Sequence, residues 1–197
     1  MNKLLTEEQI DELLSASRYG ELDELKSMVQ NIMKEDGIDA KGVIAQVIDP
    51  FSRSTPLHMA SANGDVDIAT YLLGLPAAAV GDVSLVSLKN ESGNTPLHWA
   101  CLNGHIDLVA LLCDAGADPF EQNFVGQDSV FQAENNDKMD IVEYLLKRFE
   151  SEFDEQIDEK ENEPEISDGN QNENSTEFGH EAENDVEATL ESLNLKS

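Results

Sequence analysis

Apolar residues recur in short stripes along the first three quarters of the chain, each stripe starting two residues after a glycine or an aspartate. Ile106, Val109 and Leu112 follow Gly104 at i, i+3 and i+6. Val66, Ala69 and Leu72 stand at the same offsets after Gly64, and Leu22, Leu25 and Met28 do so after Gly20. Met139, Val142 and Leu145 follow Asp137, which takes the glycine's place in a fourth copy. This is the spacing of one face of a short amphipathic helix. Each stripe has a second apolar stretch before its turn residue, so the pattern predicts four helix–turn–helix units, near 7–33, 54–74, 94–115 and 127–148. The expected architecture is all-α.

The second and third units share more than a stripe. Thr55-Pro56-Leu57-His58-Met59-Ala60 returns as Thr95-Pro96-Leu97-His98-Trp99-Ala100, and Asn63-Gly64 returns as Asn103-Gly104. Self-similarity at this period marks a stacked repeat protein, and the wording is that of the ankyrin repeat. The third and fourth units have the usual spacing, whereas extra residues lie between the second and third, in the stretch Gly74–Lys89. Thr55 and Thr95 fit an N-cap, whose hydroxyl accepts an orphan backbone N–H. Pro56 and Pro96 then occupy the first helical position, where a missing N–H costs nothing. Gly64 and Gly104 suit a chain reversal at positive φ. The first and fourth units keep the apolar skeleton without the Thr-Pro-Leu-His letters, as befits terminal capping repeats with one face in water. An ankyrin-repeat solenoid of two full and two capping units, with β-turn fingers, is therefore expected over residues 1–149.

Charge separates the rest of the chain. The protein carries 41 acidic and 12 basic residues, a formal charge of −29. Residues 150–197 hold 17 of the acids and only Lys160 and Lys196 as bases. A composition that polar cannot bury enough apolar surface to offset chain entropy, so this tail is expected to be disordered. Val186, Leu190 and Leu193 stand at helical spacing after Asn184, so a short helix near 184–195 is an alternative there, at the edge of what short helices can sustain. The negative charge disfavours nucleic acid and anionic membranes and suits a strongly basic protein partner. No apolar run approaches the roughly 20 residues needed to span a bilayer. The acidic amino terminus does not look like a signal or transit peptide. Cys101 and Cys113 are expected to be reduced, structural thiols.

The chemistry of a catalyst is missing from the pattern. His58, His98 and His105 belong to repeat letters and His180 to the tail, and none pairs with a cysteine or carboxylate at ligand spacing. No metal, no cofactor and no catalytic activity are expected. The positions that line the groove of such a stack are the finger residues and the ends of the first helices. Here these include Tyr19, Phe51, Met59, Asn63, Glu91, Asn94, Trp99, Leu102, Asn103, Phe124, Gln127, Glu134 and Asn135. A sparse aromatic set with acids nearby suits an amphipathic basic helix. Met59 and Trp99 have two readings, as anchors in the groove or as seals of the inter-repeat core. Trp99 is the first choice for mutation, because buried aromatic anchors dominate binding energy.

Beyond the repeat letters, the Leu-His-Met-Ala and Leu-His-Trp-Ala copies, Leu111-Leu112-Cys113-Asp114 before Ala117–Phe120, Ala133-Glu134-Asn135, the acidic tail and Leu193-Asn194-Leu195-Lys196 are also informative. With these features the chain resembles a family of small fungal ankyrin proteins, the Yar type, that act as dedicated chaperones of a ribosomal protein. The resemblance implies a newly made small-subunit ribosomal protein, S-three, as partner, held through its amino-terminal helix region and kept soluble for assembly of the small ribosomal subunit. It also implies a location in both cytoplasm and nucleus. A monomer is expected. Two other functions remain open on the residues alone. One is a general ankyrin adaptor for a signalling or transcription factor, and the other is a histone chaperone that works mainly through the tail.

Overall fold

A computed structural model describes residues 4–76 and 84–150. Most of the acidic tail and the helix expected near 184–195 lie outside these residues, as does part of the extra segment between the second and third units. Among the described residues there are nine α-helices and no strand. The helices are α1 (Glu7–Tyr19), α2 (Leu22–Asp36), α3 (Ala40–Ile44), α4 (Pro56–Asn63), α5 (Val66–Leu73), α6 (Pro96–Asn103), α7 (Ile106–Asp114), α8 (Ser129–Asn135) and α9 (Met139–Arg148). The pairs α1/α2, α4/α5, α6/α7 and α8/α9 form the units. First helices pack in a row, α1 on α4 on α6 on α8, while α5, α7 and α9 form a second row behind them.

The shared letters do local work at each helix start. Pro56 and Pro96 begin α4 and α6, and the threonine before each forms a reciprocal capping box with the histidine three residues on. Thr55 donates its backbone N–H to His58 Nδ1 at 3.1 Å, and Thr95 donates to His98 Nδ1 at 3.2 Å. The capping units use other solutions. A Thr6–Gln9 capping box starts α1 a full turn earlier than the corresponding helix of the full units, and Asp128 caps α8 by accepting from Phe131 N–H at 2.8 Å. Helices α1, α4 and α6 end on a left-handed glycine, with φ of 76° at Gly20, 78° at Gly64 and 84° at Gly104. Asp137 takes the same conformation at 58°, which aspartate tolerates better than most side chains.

The core runs without a break from unit to unit. Ala16, Ala60, Ala100 and Ala133 occupy one register and are all but completely buried. A methyl side chain there lets neighbouring first helices approach closely, and a larger one would force off-rotamer packing. On the second helices the buried stripe is Ile68/Ala69/Leu72, Leu108/Val109/Leu112 and Ile141/Val142/Leu145. The expected stripes need one correction. Their first members, Leu22, Val66, Ile106 and Met139, stand at the edge, and Met139 is 60% exposed. A residue that immediately follows the turn points sideways, so the core stripe starts two positions later in the last three units and three later, at Leu25, in the first.

Two elements interrupt the regular spacing. Helix α3, which the repeat pattern did not anticipate, is capped by Asp39 and buries Ala40, Val43 and Ile44 beside α2. Gln46 secures its far end, accepting from Leu5 N–H at 3.1 Å and donating to the Gly42 carbonyl at 3.0 Å. Before the third unit, a 3-10 turn at Leu85–Ser87 buries Leu85 and Val86 against α6.

Candidate partner-binding surface

Three β-turn fingers precede α4, α6 and α8, closed by Asp49 N–H to Ser54 O at 2.9 Å, Asn90 N–H to Asn94 O at 3.0 Å and Asn123 N–H to Gln127 O at 2.9 Å. Side-chain oxygens stiffen them. Asn90 Oδ1 accepts from Ser92 and Asn94, Asn123 Oδ1 from Val125 and Gln127, and Asp49 Oδ1 from Phe51 and Ser52. These bonds hold the Asp49 carboxyl below its usual range, the Ser52 N–H being the largest cause. The fingers also bond to one another, Glu91 N–H to Ser52 O at 2.8 Å and Phe124 N–H to Ser92 O at 3.1 Å. The residue before the left-handed one, Arg53 or Gly93, is thus a shared acceptor position, and the tips form a continuous strip.

Two buried histidines anchor this strip to the helices. His58 Nε2 lies 2.9 Å from the Asn94 carbonyl of the next finger, and His98 Nε2 lies 3.1 Å from that of Gln127. A carbonyl can only accept, so Nε2 carries the proton and Nδ1 is free to accept from the threonine. Each imidazole therefore bridges its own helix cap and the following unit. Burial lowers the His58 pKa to about 4 and pushes His98 in the same direction. These rings are neutral structural struts. Burial likewise raises the thiol pKa of Cys101, and pushes that of Cys113 up to about 11; both thiols are free. Among the described residues no group of three potential ligands is placed to hold a metal, and no helix is long and apolar enough to cross a membrane.

The structure sorts the expected groove residues into classes. Phe51 at 85%, Phe124 at 71% and Tyr19 at 71% exposure stand in solvent, as does Glu91. Met59, Trp99 and Leu102 are half-buried along the first-helix row. Met59 packs against the core while keeping an outward face. Trp99 Nε1 is buried without an acceptor, so the indole is partly a seal. Asn94 and Gln127 are committed to the fingers. Their carbonyls accept from the histidines, Asn94 Oδ1 accepts from Asn123 at 2.8 Å, and Gln127 Oε1 accepts from Gln132 at 3.0 Å. Asn63 and Asn103 are exposed but spend their amide N–H groups on the Arg18 carbonyl at 2.7 Å and the Trp99 carbonyl at 3.0 Å.

Asn135 is exposed at the end of α8, in the register of Leu102. Glu134, also exposed, stands in the register of Cys101, a position that the following unit covers when there is one. Together with the exposed Phe131, in the register of His98, it lies on a face of α8 that no described helix covers, apart from the other groove residues. Glu121 is already paired with Lys89 at 3.1 Å.

Sequence reasoning missed Asp65 and Asp67, which line a cleft of about 500 Å³ with Arg18, Tyr19, Gly20 and Asn63. The signal was there: aspartate follows the turn glycine in the second unit, where the third and fourth units have His105 and Lys138.

Comparison with known proteins adds to this geometry. A family model for ankyrin repeats (three copies) matches residues 13–123. The chain is 40% identical over 152 residues to the ankyrin repeat-containing protein YAR1 of Saccharomyces cerevisiae, a match covering 75% of this chain and 73% of that protein. Its structure also matches a chain in the crystal structure of the yeast ribosomal protein Rps3 in complex with its chaperone Yar1. That match has a TM-score of 0.64 and 36% identity, covering 74% of this chain and 96% of the other.

Proposed function

Since the chain belongs to the ankyrin-repeat family, in the branch that includes yeast YAR1, we propose that it is a dedicated, non-enzymatic chaperone of the small-subunit ribosomal protein corresponding to Rps3. The observation that carries this reading is the match, over 74% of this chain and 96% of the other, to a chain in the crystal structure of yeast Rps3 in complex with its chaperone Yar1. Physical features of the chain agree with the role. A ribosomal protein that has left the ribosome's RNA is rich in uncompensated positive charge, and this chain carries −29. Field complementarity of that kind raises the encounter rate and disfavours acidic competitors. The client would be released when rRNA, with its denser charge, outcompetes the chaperone.

The contact surface in this reading is the strip of finger tips and the first-helix row. Phe51, Phe124 and Tyr19 would grip apolar positions of an amphipathic basic helix, Met59, Trp99 and Leu102 would form the floor, and Glu91 would meet lysines at the rim. We infer a location in both cytoplasm and nucleus, where ribosomal proteins are made and assembled; imaging of a tagged chain checks this.

The direct test is light scattering of purified Rps3 with and without an equimolar amount of the full chain. Aggregation should be suppressed at about 0.15 M salt and return as added salt shortens the screening length to roughly 3 Å near 1 M. Precipitation that the chain leaves unchanged would reject the reading. A general adaptor would instead show little dependence on salt.

A further inference from the structure

The cleft beside the turn of the first unit has a specific origin. In this stack the residue after each turn lies over the turn glycine of the preceding unit. A Cβ built on Gly64 would meet His105 Nδ1 at 2.6 Å, and one built on Gly104 would meet Lys138 Cδ at 2.9 Å. Between the second and third units the imidazole thus fills the space, its Nε2 lying 3.2 Å from the Ala62 carbonyl. Between the third and fourth, a lysine stem fills it. Between the first and second, the equivalent residue is Asp65, whose short side chain reaches only as far as Oδ2, 3.0 Å from the Cβ position of Gly20. Its Oδ1 is already used to cap α5, accepting from Ile68 N–H at 2.9 Å. Beyond that carboxylate the space is open, and it is lined by the exposed Tyr19 ring, the carboxylates of Asp65 and Asp67 and the Arg18 side chain. The Arg18 guanidinium lies within 3.7 Å of Asp49 in the first finger, so its charge is partly matched.

We propose that this cleft takes the side chain of a lysine or arginine carried by the basic client. Lys138 shows that an alkylammonium stem fits over a turn glycine of this stack. In the cleft, the stem of an incoming lysine would lie against the Tyr19 ring and its ammonium would reach Asp65 Oδ2 and Asp67. The Tyr19 ring supplies a face for the cation, an attraction that grows as water is excluded. Phe51 and Phe124 sit on the finger tips, at the opposite end of the first helices, so the cleft would fix the register of a client laid along the row. The inference rests on the chaperone reading for the identity of the client but not for the chemistry of the cleft.

Two measurements separate them. The first compares Rps3 affinity for the full chain and for two variants of equal charge, by calorimetry. Asp65→Asn with Asp67→Asn neutralises the cleft while keeping an N-cap residue at position 65. Asp107→Asn with Asp140→Asn removes two carboxylates from the same register of later units. The cleft variant should bind about ten-fold more weakly and the control by about two-fold at most, the difference expected between a cation held among two carboxylates and a ring and one near isolated surface charges. Tyr19→Leu, which leaves every carboxylate in place, should also weaken binding. Equal weakening by the two double variants overturns the cleft and leaves the chaperone reading in place.

The second titrates a hexalysine peptide into the labelled chain and follows backbone amides by NMR. Shifts concentrated at Gly20, Gly64 and Asp65 support the cleft even if Rps3 fails to bind. Shifts spread evenly over all exposed carboxylates, or none, overturn it.

Discussion

At the scale of single residues the two strut histidines make a definite pH prediction. His58 has a folded pKa of about 4 against an ordinary value of 6.5, because burial disfavours the imidazolium more than the Asn94 carbonyl favours it. Between those values the unfolded chain binds a proton that the folded chain refuses. Stability contributed by the neutral ring is therefore complete above pH 6.5 and drains away as pH falls towards 4. His98 acts in the same direction. Denaturant unfolding at pH 7 and pH 5 should show a loss of about 2 kcal/mol from His58 alone. His58→Asn should be less stable at pH 7 but should lose less on acidification. An equal pH dependence in the variant would remove the strut from the explanation. Trp99 gives a second test at this scale. Its buried Nε1 has no acceptor, a loss of roughly 1–3 kcal/mol set against the packing of the ring. Trp99→Phe deletes the orphan donor and keeps most of the apolar surface, so its unfolding midpoint should match or exceed that of the parent. A fall of more than about 1 kcal/mol would show that the larger ring fills space the phenyl cannot.

At the scale of elements, the finger strip is tightest where the second and third fingers meet. A Cβ on Gly93 would lie 2.7 Å from both the Phe124 backbone nitrogen and its Cδ1, whereas one on Gly126 meets nothing within 4 Å. Both glycines have nearly the same positive φ, 79° and 78°. Gly126→Ala should therefore cost only the left-handed penalty, about 1–2 kcal/mol. Gly93→Ala should cost distinctly more, and amide exchange should quicken at Phe124, whose N–H bonds to Ser92. Similar losses in the two variants would mean that the strip yields freely. The same elements show what could be read from residues alone. Caps, turns and the alanine register were legible because Thr-Pro, Asn-Gly and the apolar spacing each have a local physical cause. Helix α3 was not, since its five residues are too few to show a period and the second unit's letters begin only at Thr55. The role of Asn94 was hidden for another reason: its carbonyl is the acceptor for a histidine 36 residues away, and a backbone acceptor has no letter. Glu134 stands apart from the other groove residues because two differently exposed faces share the same short helix, a distinction its letter does not carry. The cleft depends on what Asp65 is too short to fill, a comparison between units that the motif letters do not invite.

At the scale of the whole molecule the question is what the excess charge accomplishes. Within the helical part the acids are distributed in register. Asp23, Asp67, Asp107 and Asp140 each stand in the first turn of a second helix, where a carboxylate also complements the helix dipole. Those charges serve folding and long-range attraction together, so removing them confounds the two. Residues 151–197 offer a cleaner cut, with 16 acids against two bases. Every described helix ends before them, so a chain stopped after Glu150 should unfold at the same temperature as the full chain. If the negative field serves mainly to draw in a basic client, truncation should lower the association rate constant by roughly ten-fold at low ionic strength and leave the dissociation rate almost unchanged. The two chains should converge as salt rises past physiological strength, where the screening length falls below about 8 Å. Stopped-flow mixing with a labelled basic client across a salt series checks both limbs. A truncation that instead speeds dissociation, and does so at every salt concentration, would mean that the last 47 residues hold the client by contact rather than attract it from a distance.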